Sequence, residues 1–277
     1  MRRFGPTFCF LAFLAVLSGC ASGGRSSSSG FRLKVLTYNI HHGEGGGGNV
    51  DIDRIAKVIL ESKADLVALQ EVDRGVERTK KIDTMTMLAD LTGMTYTFGK
   101  NLDYQGGDYG NGVLVRYPIL EEKNLLLRSI QSSEQRGLLQ LVIEVKGQEI
   151  VFMNTHLDDK PDDAERMACV QEIKTAAQQY ASRPVILCGD FNDIPASATI
   201  GKMKDTFDDS WDQIGAGEGN TYPASKPAKR LDYIFTKKNN LGSITSLSLK
   251  PVSARVIAGD ASDHLPLLVE FEMKSGN

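Results

Sequence analysis

The sequence predicts a single α/β domain with many antiparallel strand pairings, on three observations. From residue 31 onward, strand-like and helix-like segments alternate. The stretch 112–155 is rich in strands, and no linker-like segment interrupts residues 31–273. The 277 residues are 41% hydrophobic and 24% charged. That composition excludes a coiled coil, a collagen-like repeat and a disordered tail.

The first segment is an address rather than a structural element. Met1-Arg2-Arg3 is a basic start, and Phe8 to Leu17 is an unbroken run of ten apolar residues. A helix needs about 20 such residues to span a bilayer, so the run predicts a secretory signal over residues 1–19. It ends in Leu17-Ser18-Gly19-Cys20, a pattern that resembles a bacterial lipobox and makes Cys20 the expected lipidation site. Acyl chains on Cys20 would tether the chain to a membrane surface of the cell envelope without spanning it. Residues 20–30, rich in Ser and Gly, read as a flexible tether. The expected domain is residues 31–277.

Arg32 to Asn39 alternates apolar and polar residues, a half-buried strand. Asp51 suits the cap of a helix whose apolar positions Ile52, Ile55, Ala56, Ile59 and Leu60 share one face. Leu66 to Leu69 is a short buried strand. A second helix fits Ile82 to Leu91 and stops at Gly93, a residue suited to a left-handed cap. Gly112 to Arg116, Leu120 to Leu127, Leu138 to Val145 and Glu149 to Thr155 read as strands, broken by Pro118 and by the Lys146-Gly147-Gln148 turn. Asp163 to Tyr180 reads as a long helix and Val185 to Cys188 as a strand. Leu231 to Thr236, Ile244 to Leu249 and Leu267 to Glu272 complete the set. Cys169 and Cys188 are expected as buried free thiols, because neither has metal-ligand spacing around it.

Chemistry collects at the strand ends. Asn39 ends the first strand, Gln70-Glu71 the second, Asn154-Thr155-His156 a third and Gly189-Asp190-Phe191-Asn192 a fourth. Leu231-Asp232-Tyr233 opens another strand, and Ser262-Asp263-His264 precedes the last. Each piece alone reads as turn or cap chemistry. Together they bring amides, carboxylates and imidazoles to one rim, an oxygen-rich pocket suited to a hard cation.

These six motifs, with Tyr38 before Asn39, occur in an order that resembles the endonuclease/exonuclease/phosphatase superfamily. The resemblance covers nearly all of residues 31–273. It implies a DNase I-like, four-layered α/β/β/α sandwich, with two mostly antiparallel sheets face to face and helices outside. It also implies a hydrolase of phosphoric esters, a phosphodiesterase, phosphatase or nuclease, that uses Mg²⁺ or Mn²⁺. Carried over, Glu71 is the principal metal carboxylate, with Asn39 and Asp263 close to the same ion. Asp190 and Asn192 resemble the pair that positions or activates the attacking water. His264 resembles the imidazole at the scissile phosphate, with Asp232 behind it. His156 looks like a second phosphate-side histidine. Whether His264 or Asp190 takes the water's proton stays open. In the apurinic endonucleases an acid stands two residues after the asparagine; here that position is His41.

Further features border this set. Gly43 to Gly48 reads as a mobile loop beside the site, since no Gly-Lys-Ser/Thr follows to make it a phosphate loop. Arg74, Arg78, Lys80 and Lys81 either hold a second phosphate or form a solvated loop. Arg136 is a candidate phosphate contact, because a guanidinium binds phosphate bidentately. Asn111, in Asp108-Tyr109-Gly110-Asn111, is a candidate polar group near the scissile ester, and His41 another contact on that side.

The 32 basic and 35 acidic residues give a net charge of −3; loss of Arg2 and Arg3 with the signal leaves −5. That balance argues against holding nucleic acid by bulk electrostatics. A phosphorylated small molecule, a phospholipid or nucleic-acid material all remain as substrates, with the membrane reached only through the lipid anchor. The alternative is a non-catalytic binding lipoprotein on the same fold, which predicts gaps in the catalytic set.

Overall fold

The computed structural model describes Met1, Gly5 and residues 31–130, 134–238 and 247–275. The apolar run of the leader, the Ser/Gly tether, Cys20 and Ile244 lie outside the described residues. In chain order the elements are β1 (Phe31–Asn39), a 3-10 turn (His41–Gly43), α1 (Ile52–Ser62), β2 (Leu66–Arg74), α2 (Thr84–Thr92), β3 (Thr95–Tyr104) and β4 (Gly107–Val115). There follow β5 (Ile119–Leu126), β6 (Gly137–Val145), β7 (Gln148–His156), α3 (Ala164–Gln178) and β8 (Val185–Asp190). The chain closes with α4 (Ala198–Lys204), β9 (Phe207–Asp209), α5 (Ser210–Ile214), β10 (Asp232–Lys237), β11 (Leu247–Val256) and β12 (Leu267–Ser275).

Local chemistry sets the helix ends. The Asp51 carboxylate accepts the Arg54 N–H at 3.2 Å, and Asp83 accepts that of Thr86 at 3.1 Å, each satisfying one orphan donor of a first turn. Both helices stop on a left-handed residue, Lys63 after α1 and Gly93 after α2. Leu60, expected on the buried face of α1, is 44% exposed; the face turned to the sheet is Ile52, Ile55, Ala56 and Ile59.

The strands form two six-stranded sheets, ordered β11-β12-β1-β2-β4-β3 and β5-β6-β7-β8-β10-β9. Only β1–β2 and β7–β8 pair in parallel; the other pairings are antiparallel. Leu139, Leu141, Ile150, Phe152 and Ile186 of one sheet pack on Val35, Ala68, Val113, Val269 and Phe271 of the other. The outer face of the first sheet buries against α1 and α2, and that of the second against α3 and α4. This is the expected α/β/β/α stack, with about 1.5–3 kcal/mol from each large apolar side chain fully removed from water.

The same topology gathers one rim. A strand antiparallel to its neighbour begins where that neighbour ends. The ends of β1, β2, β7 and β8 therefore meet the beginnings of β12, β10 and β6. Register fixes the result: Asp232 pairs with Asp190, His156 with Asp190, and Asn39 with Gln70. Cys169 and Cys188 are free and buried, as expected.

Candidate active site

Glu71 does not end its strand. Leu69 and Val72 both join the outer core, three residues apart, which strict alternation forbids. The register of β2 on β4 slips between them, and Glu71 there adopts φ +57°. The bulge turns its carboxylate out of the pleat toward the rim, a common device beside active sites. A left-handed backbone costs a non-glycine residue about 1–2 kcal/mol. Asn192, at φ +48°, and the His41-His42 pair, both at +44°, share it.

Asn39 is a bridge between carboxylates. Its Nδ2 donates to Glu71 Oε1 and to Asp190 Oδ2, both at 2.9 Å, and its Oδ1 accepts the His41 backbone N–H at 3.0 Å. Both ends of the amide are engaged, and Oδ1, which accepts one hydrogen bond, keeps a second lone pair for a cation. Ser262 ties the turn before β12 to the same place, since its hydroxyl donates to the Asn39 carbonyl at 2.8 Å.

Asp190 lies at the centre, fully buried. Its Oδ1 accepts the Asn192 N–H at 2.9 Å. Its Oδ2 lies 3.6 Å from His264 Nε2 and 3.7 Å from His156 Nε2. Burial raises its pKa, Asp232 adds to that, and His264 opposes it. His264 Nδ1 donates to Asp232 Oδ2 at 2.9 Å. Burial pulls the imidazole down, but the Asp232 and Asp190 carboxylates outweigh it and hold the pKa at about 10. His264 is therefore a cation at neutral pH.

His156 differs. Arg136 Nη1 lies 3.2 Å from its Nδ1, and a guanidinium can only donate. Nδ1 accepts from the charged guanidinium, while Nε2, the nitrogen facing Asp190, meets a second donor, Asn192 Nδ2 at 3.0 Å. Burial, then the Arg136 charge, push its pKa well below the usual value, so the ring is neutral. The same Asn192 Nδ2 also donates to the Leu157 carbonyl at 3.0 Å.

These groups line a cavity of about 650 Å³. Glu71, Asp190, Asn192, Asp263, His264 and His156 reach it, as do His41 and Arg136. Asp232 stands behind His264, buried. Asn111 does not reach the cavity: its Nδ2 donates to the Gly137 carbonyl at 3.1 Å, because β4 turns this position toward the second sheet. Of the basic cluster only Arg78 lines the cavity, and it is neutralised by two 2.8 Å hydrogen bonds to Asp73. Arg74 pairs with Asp108, and Lys81 Nζ donates to the Gln105 carbonyl. The loop expected to be mobile, Gly43 to Gly48, is closed by hydrogen bonds, from Gly48 N–H to the Gly45 carbonyl and from Gly46 N–H to Asp260.

Glu71 makes no ion pair with a basic side chain among the described residues, and Asp263 meets only His41, at 4.0 Å. Two such carboxylates beside a buried third fit a divalent cation, which would offset their repulsion. The donors there are oxygen and imidazole nitrogen, with no thiolate. Glu71 and Asp263 are the groups that would hold it.

Sequence reasoning missed part of the wall. Tyr104, Tyr222 and Lys229 line the cavity, and Tyr222 lies against the His264 ring at 4.8 Å between centroids. These residues sit in stretches that read as loops, where no periodicity marks an inward side chain.

The sequence profile described as Endonuclease/Exonuclease/phosphatase family matches residues 36–264. The Escherichia coli (strain K12) protein described as "Uncharacterized protein YbhP" is 29% identical over 255 residues, 88% of this chain and 97% of that one. An endonuclease/exonuclease/phosphatase structure from Beutenbergia cavernae superposes with TM-score 0.71 at 24% identity, covering 89% of this chain and 72% of that one. The Bacteroides thetaiotaomicron mannosyl-6-phosphatase Bt3783 superposes with TM-score 0.69 at 18% identity, covering 86% of this chain and 99% of that one.

Proposed function

Since the chain belongs to the endonuclease/exonuclease/phosphatase family, a family of hydrolytic phosphoesterases, we propose that it hydrolyses a phosphoric ester of a small molecule at the cell envelope. The observation that carries this reading is the ring of polar groups about one carboxylate oxygen. Asp190 Oδ2 accepts from Asn39 and faces Nε2 of both His156 and His264, groups from four different strands or their flanking turns. His264, held in its protonated form by Asp232 and Asp190, is a donor, and His156 is a neutral imidazole between the Arg136 and Asn192 donors. Asp190 is the acceptor, made more basic by burial.

The roles follow from those states. Asp190 orients the attacking water and takes its proton, with Asn192 fixing the carboxylate through its N–H. His264 donates to the phosphoryl oxygens as charge grows on them, and Asp232 keeps it oriented and charged. A divalent cation, Mg²⁺ or Mn²⁺, would supply Lewis-acid stabilisation of the phosphoryl oxygens and leaving group; Glu71 and Asp263 would hold it. Arg136 lines the same cavity and also acts through the His156 ring.

A cavity of about 650 Å³ suits a small organic phosphate, and the acidic net charge disfavours a polymeric nucleic acid. The mannosyl-6-phosphatase neighbour makes sugar phosphates the first class to screen. Location rests on Leu17-Ser18-Gly19-Cys20: lipidation of Cys20 would anchor the enzyme, and Cys20→Ala should shift it from the membrane fraction to the soluble one.

The test is hydrolysis of bis-p-nitrophenyl phosphate and p-nitrophenyl phosphate with Mg²⁺, Mn²⁺ or chelator. Turnover should require the metal. Asp190→Asn should lower kcat by about 100- to 10,000-fold while the melting temperature does not fall, since the substitution removes a buried charge. Metal-independent turnover, or none with any of these esters or sugar phosphates, would sink the reading.

A further inference from the structure

The turn after Asn39 places two imidazoles beside Glu71 that the proposed mechanism does not use. One ligand atom each from His41, His42 and Glu71 lies within 4.8 Å of the others. The orientation of the rings carries the argument. His41 Nδ1 lies 3.3 Å from the Glu44 backbone carbonyl, which can only accept, so the proton sits on Nδ1 and the Nε2 lone pair is free. His42 Nε2 lies 3.4 Å from the Glu44 carboxylate, which leaves Nδ1 with its lone pair. That Nδ1 is buried and has no hydrogen-bond partner, in a side chain only 8% exposed. Each ring thus turns one nitrogen to an oxygen of Glu44 and keeps the other for a ligand. This is the outer-partner arrangement of metal-binding histidines.

The backbone is bent to achieve it. His41 and His42 both adopt φ +44°, and Gly43 follows at +89°. That φ suits glycine, and a β-carbon there would also press on the tip of the Ile52 side chain of α1. Two strained histidines in succession are expensive to hold unless the surroundings fix them, and such strain gathers at functional sites.

The geometry points to His41 and His42 as imidazole ligands of a cation shared with Glu71, giving a mixed nitrogen and oxygen site that prefers a borderline first-row cation, such as Mn²⁺ or Zn²⁺, over Mg²⁺. Imidazole suits those ions, whereas Mg²⁺ keeps to oxygen donors and water. This deepens the phosphoesterase reading, and rests on it for the cation at Glu71. Glu44 is a positioning residue that sets both tautomers.

The test uses the full chain loaded with Mn²⁺ and read by pulsed electron paramagnetic resonance, which detects ¹⁴N coupling from a bound imidazole directly. Wild type should show ¹⁴N coupling. His41→Asn and His42→Asn should each weaken it and the double variant abolish it; asparagine tolerates the left-handed backbone, so folding is preserved. The double variant should also bind Mn²⁺ at least about 10–100-fold more weakly, the loss seen when even an outer partner is removed. In competition, Zn²⁺ should displace Mn²⁺ at far lower concentration than Mg²⁺ does. Bound Mn²⁺ without ¹⁴N coupling would overturn this inference while metal-dependent ester hydrolysis still stood. Displacement by Mg²⁺ as readily as by Zn²⁺ would likewise overturn it, and failure to bind Mn²⁺ at all would overturn it outright.

Discussion

A proton on the wrong nitrogen would change what His156 can do, and Arg136 decides the matter. Arg136 Nη1 faces Nδ1 and the neutral Asn192 amide faces Nε2; the charged donor is the stronger of the two. In ¹⁵N spectra, Nδ1 of His156 should therefore show the shift of an unprotonated acceptor. Arg136→Met should free Nδ1, raise the ring's pKa as the guanidinium charge leaves, and add an ionisation to the pH–rate profile. If that profile keeps its shape, Arg136 is not a positioning residue. A second residue-scale effect lies at Asp108, whose pKa is lowered by hydrogen bonds from Lys100 and Arg74. A depressed carboxylate contributes stability above its unfolded pKa and loses it as pH falls through the folded value. Asp108→Asn should flatten the fall of melting temperature between about pH 5 and pH 2. The motif residues were legible at this scale because amides, carboxylates and imidazoles at strand ends stand out. Which nitrogen of His156 holds a proton was not, since that depends on Arg136, 20 positions away.

The elements were legible where periodicity is strong. The apolar spacing of α1, with Asp51 before it, gave both its existence and its cap. The β3–β4 hairpin was only partly legible, because Gly107, Gly110 and Gly112 make Gly107–Val115 look like a loop until Gly112. Those glycines belong to a strand: a β-carbon at Gly110 would strike the Gly99 carbonyl oxygen across the ladder. β3 is also an edge strand, and its alternately buried positions are Thr97, Gly99 and Asn101, so no apolar alternation marks it. The short α4, β9 and α5 carry too few turns or residues for a period to show. At α1, Lys63 holds a left-handed φ of +55°, a conformation glycine adopts without strain. Lys63→Gly should stabilise the domain by about 1 kcal/mol, read as a higher urea midpoint with unchanged slope. A lower midpoint would mean that the Lys63 side chain contributes more than the strain costs.

At the scale of the molecule, the site exists because two sheets face one another with their parallel pairs aligned. Gln70 and Asn154 fasten them: Gln70 Nε2 donates to Asn154 Oδ1 at 2.7 Å, and Asn154 Nδ2 donates to the Leu69 and Gly112 carbonyls, each at 2.8 Å. These two motif residues are therefore a clamp between sheets rather than chemistry. Phe152 lies fully buried in the layer between the sheets. Phe152→Ala should cost about 3–5 kcal/mol in chemical denaturation. If that cavity also loosens the stacking, kcat should fall with no new ionisation in the pH profile, unlike the Arg136 variant.

The sequence by itself determined which strands and helices form over most of the chain, and which carboxylates, amides and imidazoles sit at their ends. Alternation, caps and breakers are local, and a residue's chemistry travels with it. Only the tertiary structure decided that Glu71 leaves its strand at a bulge, that Asn39 bridges two carboxylates, and that Arg136 serves His156. It alone also brought His41 and His42 beside Glu71. Those outcomes depend on contacts between segments far apart in the chain, and burial and geometry at such contacts follow from how the two sheets pack.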